Sequence, residues 1–131
     1  MGLIFLDACV LIHAHEGSPD RAQHILERMD AQAGHRFAVS PLVKLECLVG
    51  PMRSGNLVLQ RSYEAALARL LLLDMPEDVY LQAAELRARF GLKTPDALHL
   101  ACAQHHGCQA LWTNDGRLAK ASHGLAINVL E

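Results

Sequence analysis

The chain has 131 residues, about half of them apolar, and a net charge of −2 with its histidines neutral. That length suits one domain with a real hydrophobic core, and the composition excludes a disordered chain. No apolar run is long enough to span a bilayer, and the first one carries Asp7 with no basic leader before it. A cytoplasmic protein is therefore expected, and the charge balance excludes binding nucleic acid through a broad basic surface. Cys9, Cys47, Cys102 and Cys108 form no CxxC pair, which argues against a zinc knuckle and for reduced core thiols.

Gly2 to Leu6 reads as a short buried strand, followed at once by Asp7 and a helix from Ala8 to Glu16. Gly17-Ser18-Pro19 ends that helix, and Ser18 caps a second one, whose Ala22, Ile25, Leu26 and Met29 keep helical spacing up to Gly34. Phe37 to Val39 is a second strand. Ser40-Pro41 opens a helix expected to stop at Val49, before Gly50-Pro51. A longer helix follows from about Leu57 to Leu70, then a third strand at Leu70 to Leu73. Pro76 to Phe90 is helical and ends at Gly91. Thr94-Pro95 starts a helix to His106 that is apolar nearly all round, which marks a buried element. Ala110 to Thr113 is a fourth strand, Asn114-Asp115-Gly116 breaks it, and Leu125 to Leu130 is a fifth. Strands alternating with helices imply an α/β fold: a three-layer α/β/α single domain around a central, mainly parallel five-stranded sheet.

Four acids stand in telling places. A carboxylate buried without a partner is costly, so Asp7 either caps the helix at Ala8 or lies at the carboxyl end of a central parallel strand, where open α/β sheets place their sites. Glu46 falls among Leu42, Val43, Val49 and Gly50 on the apolar face of its helix; a Glu paired at the edge of the core is the other explanation. Asp96 lies in the first turn of the buried helix, where the dipole alone favours an acid, and His99 follows one turn later. Asp115 sits in an Asn-Asp-Gly turn, yet also at the first polar point beyond a strand, as Asp7 does. Parallel topology gathers such ends on one edge. Carboxylates crowded there repel one another, and hard oxygen donors at that density suit Mg²⁺ or Mn²⁺.

These residues resemble the PIN domain family, and within it VapC-type toxins of toxin–antitoxin pairs. The resemblance runs over essentially the whole chain: Leu6-Asp7-Ala8, Glu46 in a helix after Ser40-Pro41, Thr94-Pro95-Asp96-Ala97-Leu98-His99, and Thr113-Asn114-Asp115. Cys9 stands where the family often has Ser or Thr, and Leu118 near where it often has Phe. The resemblance implies a metal-dependent endoribonuclease that cleaves RNA with one or two Mg²⁺ or Mn²⁺ ions. Asp7, Glu46, Asp96 and Asp115 would be the catalytic and metal-binding set, supported by Thr113 and Asn114. It further implies a cognate antitoxin and a homodimer. Lys44, Arg53, Lys93 and Arg117 are candidates for RNA backbone contacts, although for any one of them a solvated surface charge is the preferred explanation.

Other classes fit less well. An aspartyl phosphatase needs an acid two residues after Asp7, where Cys9 stands, and no GxGxxG follows the first strand. A phosphorylation receiver would use Asp74, near the third strand. His13 and His15 face different ways on their helix, and His105 and His106 lie at a helix end, where cations are favoured in any case. A PIN-like module that binds RNA or a partner without cutting is the alternative; four gathered acids argue against it.

Overall fold

The computed structural model describes residues 2–130. Strand β1 (Leu3–Leu6) is central and pairs in parallel with β2 (Arg36–Val39) on one side and β4 (Ala110–Thr113) on the other. The edges are β3 (Leu71–Leu72) beside β2 and β5 (Ala126–Asn128) beside β4, so the order is β3-β2-β1-β4-β5 and every pairing is parallel. Phe5, Leu6, Val39 and Leu111 are fully buried. That is why β1 and β4 read as continuous apolar runs rather than alternating ones: a parallel sheet is covered on both faces.

The covering helices are α1 (Ala8–Glu16), α2 (Pro19–Ala31), α3 (Pro41–Ser54), α4 (Leu57–Ala68), α5 (Glu77–Phe90), α6 (Thr94–His105) and α7 (Gly116–Ala121). The chain steps outward from β1 to β2 to β3, then returns across the sheet to β4 and β5. With right-handed crossovers, reversing the direction moves the helices to the opposite face. The reversal lies between β1 and β4. In open α/β sheets the crevice at such a point, outside the carboxyl ends of the strands, is where ligands bind. Asp7 immediately follows β1, and Asn114-Asp115 immediately follow β4.

Several boundaries differ from local expectation, including the ends of α2 at Ala31 and of α4 at Ala68. Helix α3 continues through Gly50-Pro51 to Ser54. Pro51 is buried, so packing outweighs the breaker preference of Gly-Pro, and the left-handed Gly55 (φ 71°) supplies the stop instead. The edge strands are shorter than their apolar runs, because each has a partner on one side only. Helix α6 matches expectation: every residue from Ala97 to Ala103 is buried. All four cysteines are free thiols, three of them buried and Cys9 half-buried. Burial is the main cause that pushes Cys9, Cys47 and Cys102 up to about 12 and Cys108 to about 11, so none is a ready nucleophile.

Candidate active-site cleft

Asp7 is 7 % exposed and both of its oxygens have partners. The Cys9 backbone N–H donates to Oδ1 at 3.5 Å, so Asp7 does cap α1. The Thr113 hydroxyl, fully buried at the end of β4, donates to Oδ2 at 2.9 Å. That same hydroxyl accepts the Asp115 backbone N–H at 3.1 Å. Thr113 therefore ties the end of β1 to the turn after β4, and its one proton is committed to Asp7. Asp115 in turn caps α7 by accepting from Arg117 N–H at 2.9 Å, with the Arg117 guanidinium Nε 3.6 Å from its carboxylate. Capping and a place in the cleft coexist for both residues. Asn114 donates from its side-chain amide to His13 Nε2 at 2.9 Å.

Glu46 reaches the cleft from α3. Ser40 starts that helix by accepting the Val43 N–H at 3.3 Å, with Pro41 next. The buried stripe of α3 is Val43, Cys47 and Pro51, while Leu45, Val49 and Met52 are exposed. Glu46 lies on the border between the two and is half-buried.

His99 connects the two sides. Sequence spacing places it beside Asp96, one turn away on the same helix. In the fold its Nε2 lies 2.6 Å from Glu46 Oε1 and 3.5 Å from Asp7 Oδ1. The ring is 1 % exposed and packs at a tilt against Phe5, with centroids 5.9 Å apart. Burial pulls its pKa down. The Glu46 hydrogen bond and the charges of Asp7, Glu46 and Asp96 outweigh that and raise it overall. An Nε2–H donating to Glu46 fixes the carboxylate's orientation. The available signal for this role was a single imidazole inside an otherwise wholly apolar buried stretch; its partner could not be read from α6 alone, because it lies on α3.

Asp7, Glu46, Asp96 and Asp115 all line one open cavity of about 400 Å³, together with Cys9 and Asn114. Ligand atoms of Asp7, Glu46 and His99 lie within 4.8 Å of one another. Asp96 and Asp115 line the cavity outside that trio. Partial burial, then the negative charges of Asp115 and Asp7, raise the Asp96 pKa against the opposing pull of His99 and Arg117. No Lys or Arg lines this cavity. Four mutually repelling carboxylates beside the His99 imidazole, with a guanidinium at Asp115 only, fit a hard divalent ion.

An open parallel sheet with an acidic crevice at its topological switch point defines the class, and the chain belongs to the PIN domain family, whose model matches residues 4–124. No curated protein matches its sequence significantly. Among solved structures it is similar to a toxin–antitoxin complex from Klebsiella pneumoniae, with 23% identity over 98% of both chains and a TM-score of 0.78. It is also similar to VapBC2 from Rickettsia felis bound to a DNA fragment from their promoter, with 20% identity over 96% of this chain and 98% of that one and a TM-score of 0.80. A third similar structure is Mycobacterium tuberculosis VapC20, a sarcin-ricin loop cleaving toxin, with 20% identity over 90% of this chain and 94% of that one and a TM-score of 0.74. These likenesses show a shared fold over nearly the whole length.

Proposed function

We propose that the chain is a Mg²⁺- or Mn²⁺-dependent endoribonuclease of the VapC type, acting in the cytoplasm as the toxin of a two-protein pair. One observation carries this reading: in a PIN domain, four acids from four separate elements line one cleft at the switch point of the sheet. Asp7, Glu46, Asp96 and Asp115 would hold one or two ions. Such an ion lowers the pKa of a bound water and neutralises charge developing on phosphate oxygens. The chain's own part is to hold the acids ready. Thr113 and the Cys9 N–H fix both oxygens of Asp7, His99 fixes Glu46, and Arg117 N–H fixes Asp115. Asn114, exposed at the rim, has an amide able to orient a phosphate or a water.

An antitoxin partner is supported by the toxin–antitoxin complexes among the structural neighbours. Apolar side chains stand exposed on α3 and α4 (Leu45, Val49, Met52, Leu57, Val58) and on α5 (Tyr80, Leu81). They offer area for that partner and for a homodimer. The test is cleavage of RNA by the purified chain. Asp7→Asn and Asp96→Asn should each remove cleavage and relieve growth inhibition while the protein stays folded. Cleavage in excess EDTA, or undiminished cleavage by both variants, sinks the metal mechanism. RNA binding with no products under Mn²⁺ would identify a binding module instead.

A further inference from the structure

The cleft has two unlike flanks. On one, Leu45, Leu48, Val49 and Met52 of α3 form an open, largely apolar hollow with Arg53 at its end. On the other, Asp96 is shared with a second hollow of about 240 Å³, where Phe90, Lys93, Arg117 and Lys120 stand around it. Phe90 and Ala121 lead on from there to a third hollow, where Arg89 and His123 stand with Glu85. Beside Asp96 the acidic cavity therefore adjoins a hollow with three cations, Lys93, Arg117 and Lys120, and an aromatic ring in its wall, whereas the α3 flank carries Arg53 alone.

Local stability does not explain Lys93, whereas Lys120, in the last turn of α7, suits the helix dipole and Arg117 is paired with Asp115. Lys93 is the N-cap of α6 and makes no side-chain capping bond. Arg117 is in the first turn of α7. A cation at a helix N-terminus opposes the dipole, and Lys is a poor cap beside Ser, Thr, Asp or Asn. Among the described residues, Lys93 and Lys120 have no salt-bridge partner. Phe90 leaves 40% of its surface in water, its ring edge-on to His123. Local rules broken together at one place mark a functional surface. The chemistry that recovers the cost is a polyanion with flat apolar faces: phosphates for the ammonium groups, a base for the phenyl ring.

We propose that this flank, formed by the end of α5, the start of α6 and α7, is the track for single-stranded RNA leaving the cleft past Asp96. Lys93 and Lys120 take backbone phosphates, and Phe90 stacks a base. The assignment rests on the nuclease reading and adds a direction to it. The strand runs toward α5 and α7, not over the apolar flank on α3. It also answers how a chain of charge −2 brings a polyanion up to four carboxylates: local cations, beside the acids but outside their cavity, hold it there.

The test separates the two readings. Binding of a labelled single-stranded RNA of mixed sequence is followed by fluorescence anisotropy without divalent ions, across a salt series, and cleavage is measured separately with Mn²⁺. Lys93→Gln/Lys120→Gln should weaken binding about tenfold. It should make the log–log salt dependence shallower by about 1.4, at about 0.7 for each phosphate no longer neutralised. In cleavage KM should rise with kcat unchanged. Phe90→Leu should weaken binding about tenfold with the salt slope unaltered, as for loss of a stacked base. Arg36→Gln, at the amino edge of the sheet, should change neither. Arg117 stays wild type because it touches Asp115. Unchanged binding and slope in the lysine double variant, or no RNA binding by the wild type, overturns the track. Wild-type RNA binding that depends on these lysines, without cleavage, supports the track and overturns the nuclease.

Discussion

Helices α3 and α6 begin alike and end up doing different work. Each opens with a hydroxyl residue and proline, and each sends one acid into the cleft. Helix α6 is enclosed: its residues from Ala97 to Ala103 are all buried, and it places Asp96 in its first turn and His99 one turn on. Helix α3 is a border element with one stripe in the core and an apolar stripe in water. The His99–Glu46 bond joins them. The acid on the enclosed helix sits on a backbone that burial fixes, whereas the acid on the border helix is tied to another element by a side-chain hydrogen bond. A site at a sheet's switch point is thus assembled from one rigid support and one support that must be tied to it.

The largest effect expected is at the rigid support. Asp96→Asn should reduce cleavage to the detection limit, yet raise the melting temperature of the metal-free protein at pH 7. Asp96 is pushed up by burial and by the charges of Asp115 and Asp7. A carboxyl with a raised folded-state pKa costs stability above that pKa and ceases to do so once pH falls below its unfolded value. The gain in melting temperature should therefore vanish in acid; a variant that melts lower at pH 7 would contradict this electrostatic account.

Next comes packing. Leu100→Ala removes a fully buried side chain from α6 and should cost about 2–5 kcal/mol by denaturant unfolding. Val49→Ala on the exposed stripe of α3 should stay within about 0.5 kcal/mol. Equal costs would erase the distinction between the two helices.

The tie itself is intermediate. His99→Phe keeps a ring in the pocket but removes the donor to Glu46, and should lower Mn²⁺ affinity about 10–100-fold, the usual penalty for losing a ligand's hydrogen-bonded support. His99→Gln, which restores an N–H, should regain part of it. A purely structural histidine would give equal affinities in both variants.

Last comes the proline within α3. Pro51→Ala should change stability by less than the Leu100 truncation, since a helix former replaces a breaker while some buried area is lost. A greater loss by calorimetry would mean that Pro51 anchors the border helix more firmly than its single buried stripe implies.

Much of this was legible in the chain. The apolar runs ending in Asp7 and Asp115, the Ser-Pro and Thr-Pro helix starts, and the apolar circumference of α6 are local patterns with local causes. Strand periodicity, caps and burial on both sheet faces can be read wherever the responsible residues are neighbours. That is why the α/β class, the parallel sheet and the four acids could be named from the sequence. Where α3 ends was not legible, because a buried Pro51 reverses the local meaning of Gly-Pro.

The sequence by itself thus determined the elements and the chemical character of the residues at their ends. Only the tertiary structure decided who meets whom. His99 and Glu46 are 53 positions apart, and Thr113 and Asp7 are 106 apart. No periodicity relates residues at such separations, since their meeting depends on the strand order that brings β1 beside β4. The same order sets an apolar flank and a cationic flank on either side of the acids. A chain of nearly balanced charge acquires a directional surface only when its helices are laid around the sheet.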